Sequence, residues 1–526
     1  MPGAPMWLLT GWFAAGLSVQ ATVAQAPPQS LRKPTMAEDL QMFSQVLNQI
    51  RVNHPDSIDP HRLIMAAIEG MVRAADPHSY VIPAARLAPD KAIALQDGKL
   101  YPVPVDFRFV GGSPVVAGIA PGTRADRAGI LVGDELLAID GQPVQATSAD
   151  ELAVTLAGAK NSSVRLTLAR QRSDGSTLEI ERDVKRERSD DVGNAVPVAV
   201  MLDRETGYLR IATFANARVA DQVHAAIGKL KGAGMRRLLL DLRDNGGGLV
   251  DEAAEVAGEF LPAGSIVYTA ETRKGKPDTI KVKRSFWNSE DRYPLIAMVN
   301  AGTASASELV AGALQDHDRA VIAGRPSFGK SLMMQGLPLL DGSAIMLVIG
   351  RIRTPCGRIV QREYRSITRR DYYRLSAADR DTVDRPSCST SKGRRVFGGG
   401  GIYPDVVLPD PPPPPVWLAR ILEDELPLKW AGGYLSEVAI ASVDSLIARP
   451  AMIAPAVTSF RQFAIIRKAE IPAGEEADRR LARILSLELA AVKWGDAGYY
   501  RIATAQDPAI LEAIKHFDLA VELNRQ

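Results

Sequence analysis

The sequence predicts a multidomain α/β protein with N-terminal helices, a small β-rich module, an α/β core and a C-terminal helical domain. Three observations carry that prediction. The chain has 526 residues, more than one hydrophobic core of roughly 250–300 residues accommodates. Between Val198 and Pro409, short apolar strands alternate with helical stretches, as in an α/β layer. Pro411 to Pro415 is a run of five prolines, a stiff spacer ahead of a different kind of sequence. Composition narrows the partners: 63 Lys and Arg stand against 61 Asp and Glu with no long basic run, so the electrostatic footprint of a nucleic-acid binder is missing.

Residues 1–26 read as a secretory signal peptide. Met6 to Val23 carries no charge, has an apolar centre (Met6 to Leu9, then Trp12 to Ala15) and is followed by small residues at Ala21, Ala24 and Ala26. Cleavage after Ala21, Ala24 or Ala26 fits, and a retained membrane anchor is the competing reading, weakened by Gly11 and Gly16. An exported, periplasmic protein is expected. Residues 36–95 form an N-terminal helical segment, with Leu40, Phe43, Val46, Leu47 and Ile50, then Leu63, Ile64, Ala67, Ile68 and Met71 at helical spacing around a break at His54-Pro55. Residues 96–187 are β-rich, with β-branched runs separated by Gly and Asp turns.

The α/β core is assigned to 188–410. Its strands include Gly207–Ile211, Leu238–Leu240 and Leu295–Val299, and its helices Asp221–Gly232, Asp251–Leu261 and Ser305–Gln315. A polar, basic excursion at 362–395 interrupts it. The two cysteines, Cys356 and Cys388, bracket that excursion and form one disulfide in an oxidising compartment, with two unrelated thiols as the alternative. The linker is 411–415, and 416–526 is the helical domain. Scattered histidines and the absence of CxxC or HExxH give no metal site and no cofactor.

Three motifs compete to define the chemistry. Gly324 to Ser331 satisfies the phosphate-loop pattern GxxxxGK[ST], which taken alone suggests a nucleotide hydrolase. Such a loop must open a helix, yet Gly336-Leu337-Pro338 follows within about one turn. At Asn300 to Glu308 a strand ends in small residues and a helix begins, exposing the Ser305 hydroxyl, although Ser305-x-x-Glu308 is equally a capping box. Asp241-Leu-Arg243-Asp-Asn245-Gly246-Gly247-Gly248 follows a buried strand. It lets backbone N–H groups approach a ligand, as an oxyanion hole requires, or makes a plain tight turn.

Together these stretches resemble the carboxy-terminal processing peptidases, serine endopeptidases with a PDZ domain, a crotonase-like α/β core and a Ser-Lys dyad. The likeness runs from about Leu40 to Leu408 and is most specific at Thr303 to Asp316 and Ser327 to Lys330. It implies Ser305 as nucleophile and Lys330 as base, a role that needs a neutral lysine and therefore a depressed pKa. It further implies an oxyanion hole from the N–H of Ala306 and one of the glycines, Gly248 first and Gly247 next. Family members carry a lysine-orienting glutamine four residues after the lysine; here Met334 stands there and Gln335 follows, so either a one-residue bulge brings Gln335 into that catalytic role or the lysine is held differently. Asp76 to Tyr80 matches the segment before the PDZ domain, and Val115 to Gly122 with Gly133 to Gly141 matches the PDZ domain itself. A PDZ groove takes a peptide by strand addition and captures its terminal carboxylate in a backbone loop, expected near Tyr101 to Phe109, where Pro102, Pro104 and the lack of glycine weaken that capture. The resemblance implies protein substrates held by their C-terminal region. It leaves open an activating adaptor, self-association through the C-terminal helical domain, and the alternative of a non-catalytic PDZ scaffold.

Overall fold

A computed structural model describes residues 34–525, apart from 83–90, 92–98, 111, 120–123, 147–148, 173–175, 188–194, 216–217, 274, 284–291, 341–342, 365–371, 373–381, 383, 410–413 and 449. The expected signal peptide and most of the proline linker lie outside the described residues. The chain divides into two compact units, 1–68 and 69–526. In the first, a helix spans Met36–Asn53, begun by a Thr35/Glu38 capping box that satisfies its leading amides. A second helix spans Pro60–Ala75.

The second unit holds three principal sheets. One is antiparallel, in the order Val105–Val110, Ser113–Ile119, Glu135–Ile139, Ser163–Gln171, Thr177–Lys185, with the helix Ala149–Leu156 across it. Its core joins Val116, Leu136, Leu166 and Leu168, which the pleat sends to one face, with Leu152 of that helix.

The central sheet runs Val406–Val407, Val321–Gly324, Leu295–Val299, Arg237–Asp241, Thr206–Arg210, Val198–Met201. All neighbours are parallel except the last pair. Parallel strands are buried on both faces, which is why Leu295–Val299 is apolar at every position. The pleat divides its neighbours: Leu238, Leu240, Ala297 and Val299 pack with Val223, Val256 and Val310 from the helices Val219–Gly232, Val250–Gly258 and Ala306–Asp316. Leu239, Ile296 and Met298 pack on the opposite side with Ile510, Phe517 and Ala520.

That second layer differs from the expectation of one C-terminal domain over 416–526. The helices Pro508–Ala513 and Phe517–Arg525 share a core with the central sheet, because its second apolar face needs covering. Residues between 416 and 505 have their own core around Trp430, which stacks on Tyr434 at 4.6 Å and meets Phe460 edge-on at 5.5 Å. This helical body meets the first antiparallel sheet through glycines. A Cβ on Gly432 would run into the Val132 carbonyl, one on Gly433 into that of Gln171, and one on Gly133 would lie 2.7 Å from the Leu428 oxygen. Arg108 and Glu425 pair at 2.8 Å across the same boundary.

The third sheet is antiparallel. Ala344–Arg353 lies between Tyr80–Ile82 and Ile266–Thr272, and also pairs with Leu332–Pro338. Leu332–Pro338 is therefore a strand where the phosphate-loop reading needs a helix, and that reading fails on backbone conformation.

Candidate active site

The site forms where two parallel strands of the central sheet end. After Leu295–Val299 the chain turns at Asn300 and enters the helix Ala306–Asp316 through Ser305, whose φ of 57° and ψ of −119° are rare for a residue with a side chain. Such strain costs about 1–3 kcal/mol and persists only where surroundings enforce it. Here they do. Thr303 Oγ1 donates to the Leu242 carbonyl at 2.8 Å, the Ala304 N–H to the Asn245 carbonyl at 3.0 Å, and Ser307 Oγ to the same carbonyl at 3.0 Å.

Asn245 is the hub of the facing glycine loop. Fully buried, it donates through Nδ2 to the Ile211 carbonyl at 2.8 Å and accepts through Oδ1 from the Gly247 N–H at 3.0 Å. Gly247, at φ 95°, lies directly against the serine: a Cβ there would sit 2.8 Å from Ser305 Cβ and 2.8 Å from the Ala306 nitrogen. Gly248 bridges to Phe214 and leaves no room for a Cβ either. The preceding strand ends in Asp241, whose burial alone would raise its pKa. Arg243 and Arg210, with a 2.7 Å hydrogen bond from Tyr208, overcome that and hold it at about 2.

Glu308 joins the serine to the lysine. Its carboxylate, fully buried, accepts through Oε2 from the Ser305 N–H at 2.9 Å and the Lys330 N–H at 2.8 Å. Through Oε1 it accepts from Gly329 N–H at 2.8 Å and Ser327 Oγ at 2.5 Å. One oxygen thus serves both backbones, so the Ser305 and Lys330 nitrogens are no further apart than those two bonds, about 5.7 Å. Burial pushes the Glu308 pKa up, against the pull of its four donors. The capping arrangement read from Ser305-x-x-Glu308 is present, with the Glu308 carboxylate holding the Ser305 amide.

Lys330 follows Gly329, whose φ of 90° lets the loop pass the backbone of Gly400 and Gly401. Burial lowers the lysine pKa, and the carboxylates of Glu308 and Asp76 oppose the shift. Gln335 lies exposed on the strand after it; a register shift separates it from Lys330 between Met333 and Met334. Cys356 and Cys388 are joined by a disulfide. Within the excursion it closes, Tyr372 is completely buried, which the polar and basic surrounding sequence does not announce.

The comparisons agree with this architecture. A model of peptidase family S41 matches residues 205–368, and a PDZ domain model matches 115–170. The chain is 30% identical over 361 residues to a carboxy-terminal-processing protease of Bartonella bacilliformis, covering 66% of this chain and 79% of that one. It is 36% identical over 239 residues to the carboxyl-terminal-processing protease of a Synechocystis species, covering 44% and 53%. With the chloroplastic C-terminal processing peptidase of Tetradesmus obliquus the identity is 33% over 285 residues, covering 52% and 61%. Fold and match define a serine peptidase carrying a PDZ domain. The chain belongs to the carboxy-terminal processing protease family. Among the described residues, no helix is long and apolar enough to cross a membrane.

Proposed function

We propose that this protein is an exported serine endopeptidase that engages the C-terminal region of protein substrates and cleaves them through an acyl-enzyme on Ser305. The observation that carries the reading is the single Glu308 oxygen shared by the Ser305 and Lys330 amides, which ties nucleophile and base into one unit. Neutral Lys330, favoured by its burial, takes the Ser305 hydroxyl proton as Oγ attacks the scissile carbonyl. The oxyanion meets the N–H groups of Ala306 and Gly248; the Gly247 N–H is already given to Asn245. Collapse expels the amine, which takes the proton from the lysine, and water then hydrolyses the ester.

Substrate enters by strand addition at the open edge of Val105–Val110. Pro102 and Pro104 have no N–H, while the Tyr101 and Val105 amides donate to Gly158 and Val103 at 2.8 Å each. The loop thus offers few amides to a terminal carboxylate, and recognition falls to the side chains of the substrate's last residues.

A second reading, a PDZ scaffold without activity, is favoured by Met334 and by the exposure of Gln335. Incubation with an unfolded polypeptide of apolar C-terminus, followed by mass spectrometry, separates the two. Cleavage by the wild type that is lost in both Ser305→Ala and Lys330→Ala supports the dyad; intact polypeptide with all three supports the scaffold. A wild-type pH profile without a rising limb between about pH 5 and 9 counts against lysine as base.

A further inference from the structure

A lysine that acts as a base must hold its amine to within a few tenths of an ångström of the hydroxyl, and its side chain has four rotatable bonds. Among the described residues no hydrogen bond holds Lys330 Nζ, so its placement rests on how firmly its backbone is fixed. Glu308 fixes one side, at the Gly329 and Lys330 amides. The other side is fixed from far along the chain. The Ser331 N–H donates to Gln361 Oε1 at 2.8 Å; Gln361 Nε2 donates to the Tyr372 hydroxyl at 3.1 Å; and that hydroxyl donates to the Gly329 carbonyl at 3.0 Å. These three bonds and the peptide from Gly329 to Ser331 close a ring around the lysine.

The side chains of the ring are buried. Tyr372 is fully buried, with its ring edge-on to His78 at 4.8 Å and to Phe328 at 5.6 Å. The second N–H of the Gln361 amide goes to the Arg362 carbonyl at 3.0 Å. Tyr372 comes from the excursion between the two disulfide-bonded cysteines, which are 32 residues apart. A tyrosine in a polar insertion has no local reason to bury its hydroxyl against a carbonyl 43 residues earlier. Such buried, fully paired networks fix one geometry.

We propose that Tyr372, with Gln361, is a positioning residue for Lys330, and that the disulfide-closed excursion exists in part to deliver it. This rests on the reading of Lys330 as general base. Tyr372→Phe removes the two ring bonds at the hydroxyl, yet the Gly329 carbonyl keeps the Arg362 N–H at 2.9 Å, so the fold survives. The expected result is a loss in kcat/KM of roughly tenfold or more, since displacements of about 1 Å cost about a hundredfold. The rising limb of the pH profile also moves to higher pH, because a loosened loop admits water to the amine and relieves the burial that lowers its pKa. A variant with kcat/KM within twofold of wild type and an unmoved limb overturns the proposal. If Tyr372→Phe unfolds, Gln361→Ala opens the same ring from the other side and is judged by the same two readouts. Lys330→Ala runs in parallel. Cleavage persisting there refutes the lysine as base, whereas an inactive Lys330→Ala beside a wild-type-like Tyr372→Phe refutes the ring alone.

Discussion

Of the three consecutive glycines Gly246, Gly247 and Gly248, Gly247 lies against the serine turn, and alanine at each should give a different result. At Gly247 the φ of 95° costs a residue with a Cβ about 1–2 kcal/mol. The new methyl would lie 2.7 Å from the Ala304 oxygen, 2.8 Å from the Ala306 nitrogen and 2.8 Å from Ser305 Cβ, where ordinary contact begins at 3.4 Å. Two of these three neighbours are backbone, so no rotamer change relieves them. The serine turn must retreat by about 0.6 Å. Overpacking of that kind adds about 1–3 kcal/mol, for a total near 2–5 kcal/mol. The retreat moves the nucleophile, and a displacement of this size lowers kcat/KM by roughly tenfold to a hundredfold. Gly246 is the internal control: its added Cβ meets nothing within 4 Å, so Gly246→Ala stays within about 1 kcal/mol and keeps its activity. Gly248→Ala drives a methyl into the Phe214–Ala215 peptide and loses the folded state. The assay is denaturant unfolding beside kcat/KM on one peptide. Gly247→Ala with activity within threefold of Gly246→Ala refutes the claim that the glycine loop sets the serine's position.

Other perturbations follow from the same geometry. Glu308→Gln turns one acceptor oxygen into a donor and loses two bonds to a charged acceptor at about 1.5–3 kcal/mol each. Unfolding should show a loss of roughly 3–6 kcal/mol, with activity falling even where the protein remains folded. Replacing both Cys356 and Cys388 by serine releases a constraint across 32 residues, worth about 3–4 kcal/mol by chain entropy, read from urea midpoints against the oxidised wild type. Asp241 titrates at about 2 in the fold against 3.8 in the unfolded chain, so its contribution is complete above about pH 4 and is lost as pH falls towards 2. Asp241→Asn should flatten that limb of a stability–pH curve.

Much of this fold was legible because its signals are local. Leu238–Leu240 and Leu295–Val299 are uninterrupted apolar runs, as strands covered on both faces must be, and the small residues before Ala306 announce a sharp turn into a helix. The roles of Glu308 and Tyr372 were hidden for the opposite reason. Glu308 satisfies a capping pattern within four residues, and nothing local says that its second oxygen reaches Gly329, 21 positions on. Tyr372 sits among charged residues that predict exposure, and its burial depends on a surface assembled from His78, Phe328 and Gln361. The final helices were grouped with the tail by their position along the chain, although Phe517 and Ala520 belong to the central core.

The glycine contacts between the PDZ sheet and the helical body bear on how this protein could be switched. At Gly133, Gly432 and Gly433 main chain lies against main chain, with side-chain pairs such as Arg108–Glu425 beside it. Interfaces built from interdigitated side chains can slide by exchanging rotamers; a bare backbone seam has one register in which it fits. Displacing the PDZ domain from the helical body therefore has to break this main-chain fit and the Arg108–Glu425 pair together, rather than slide one past the other.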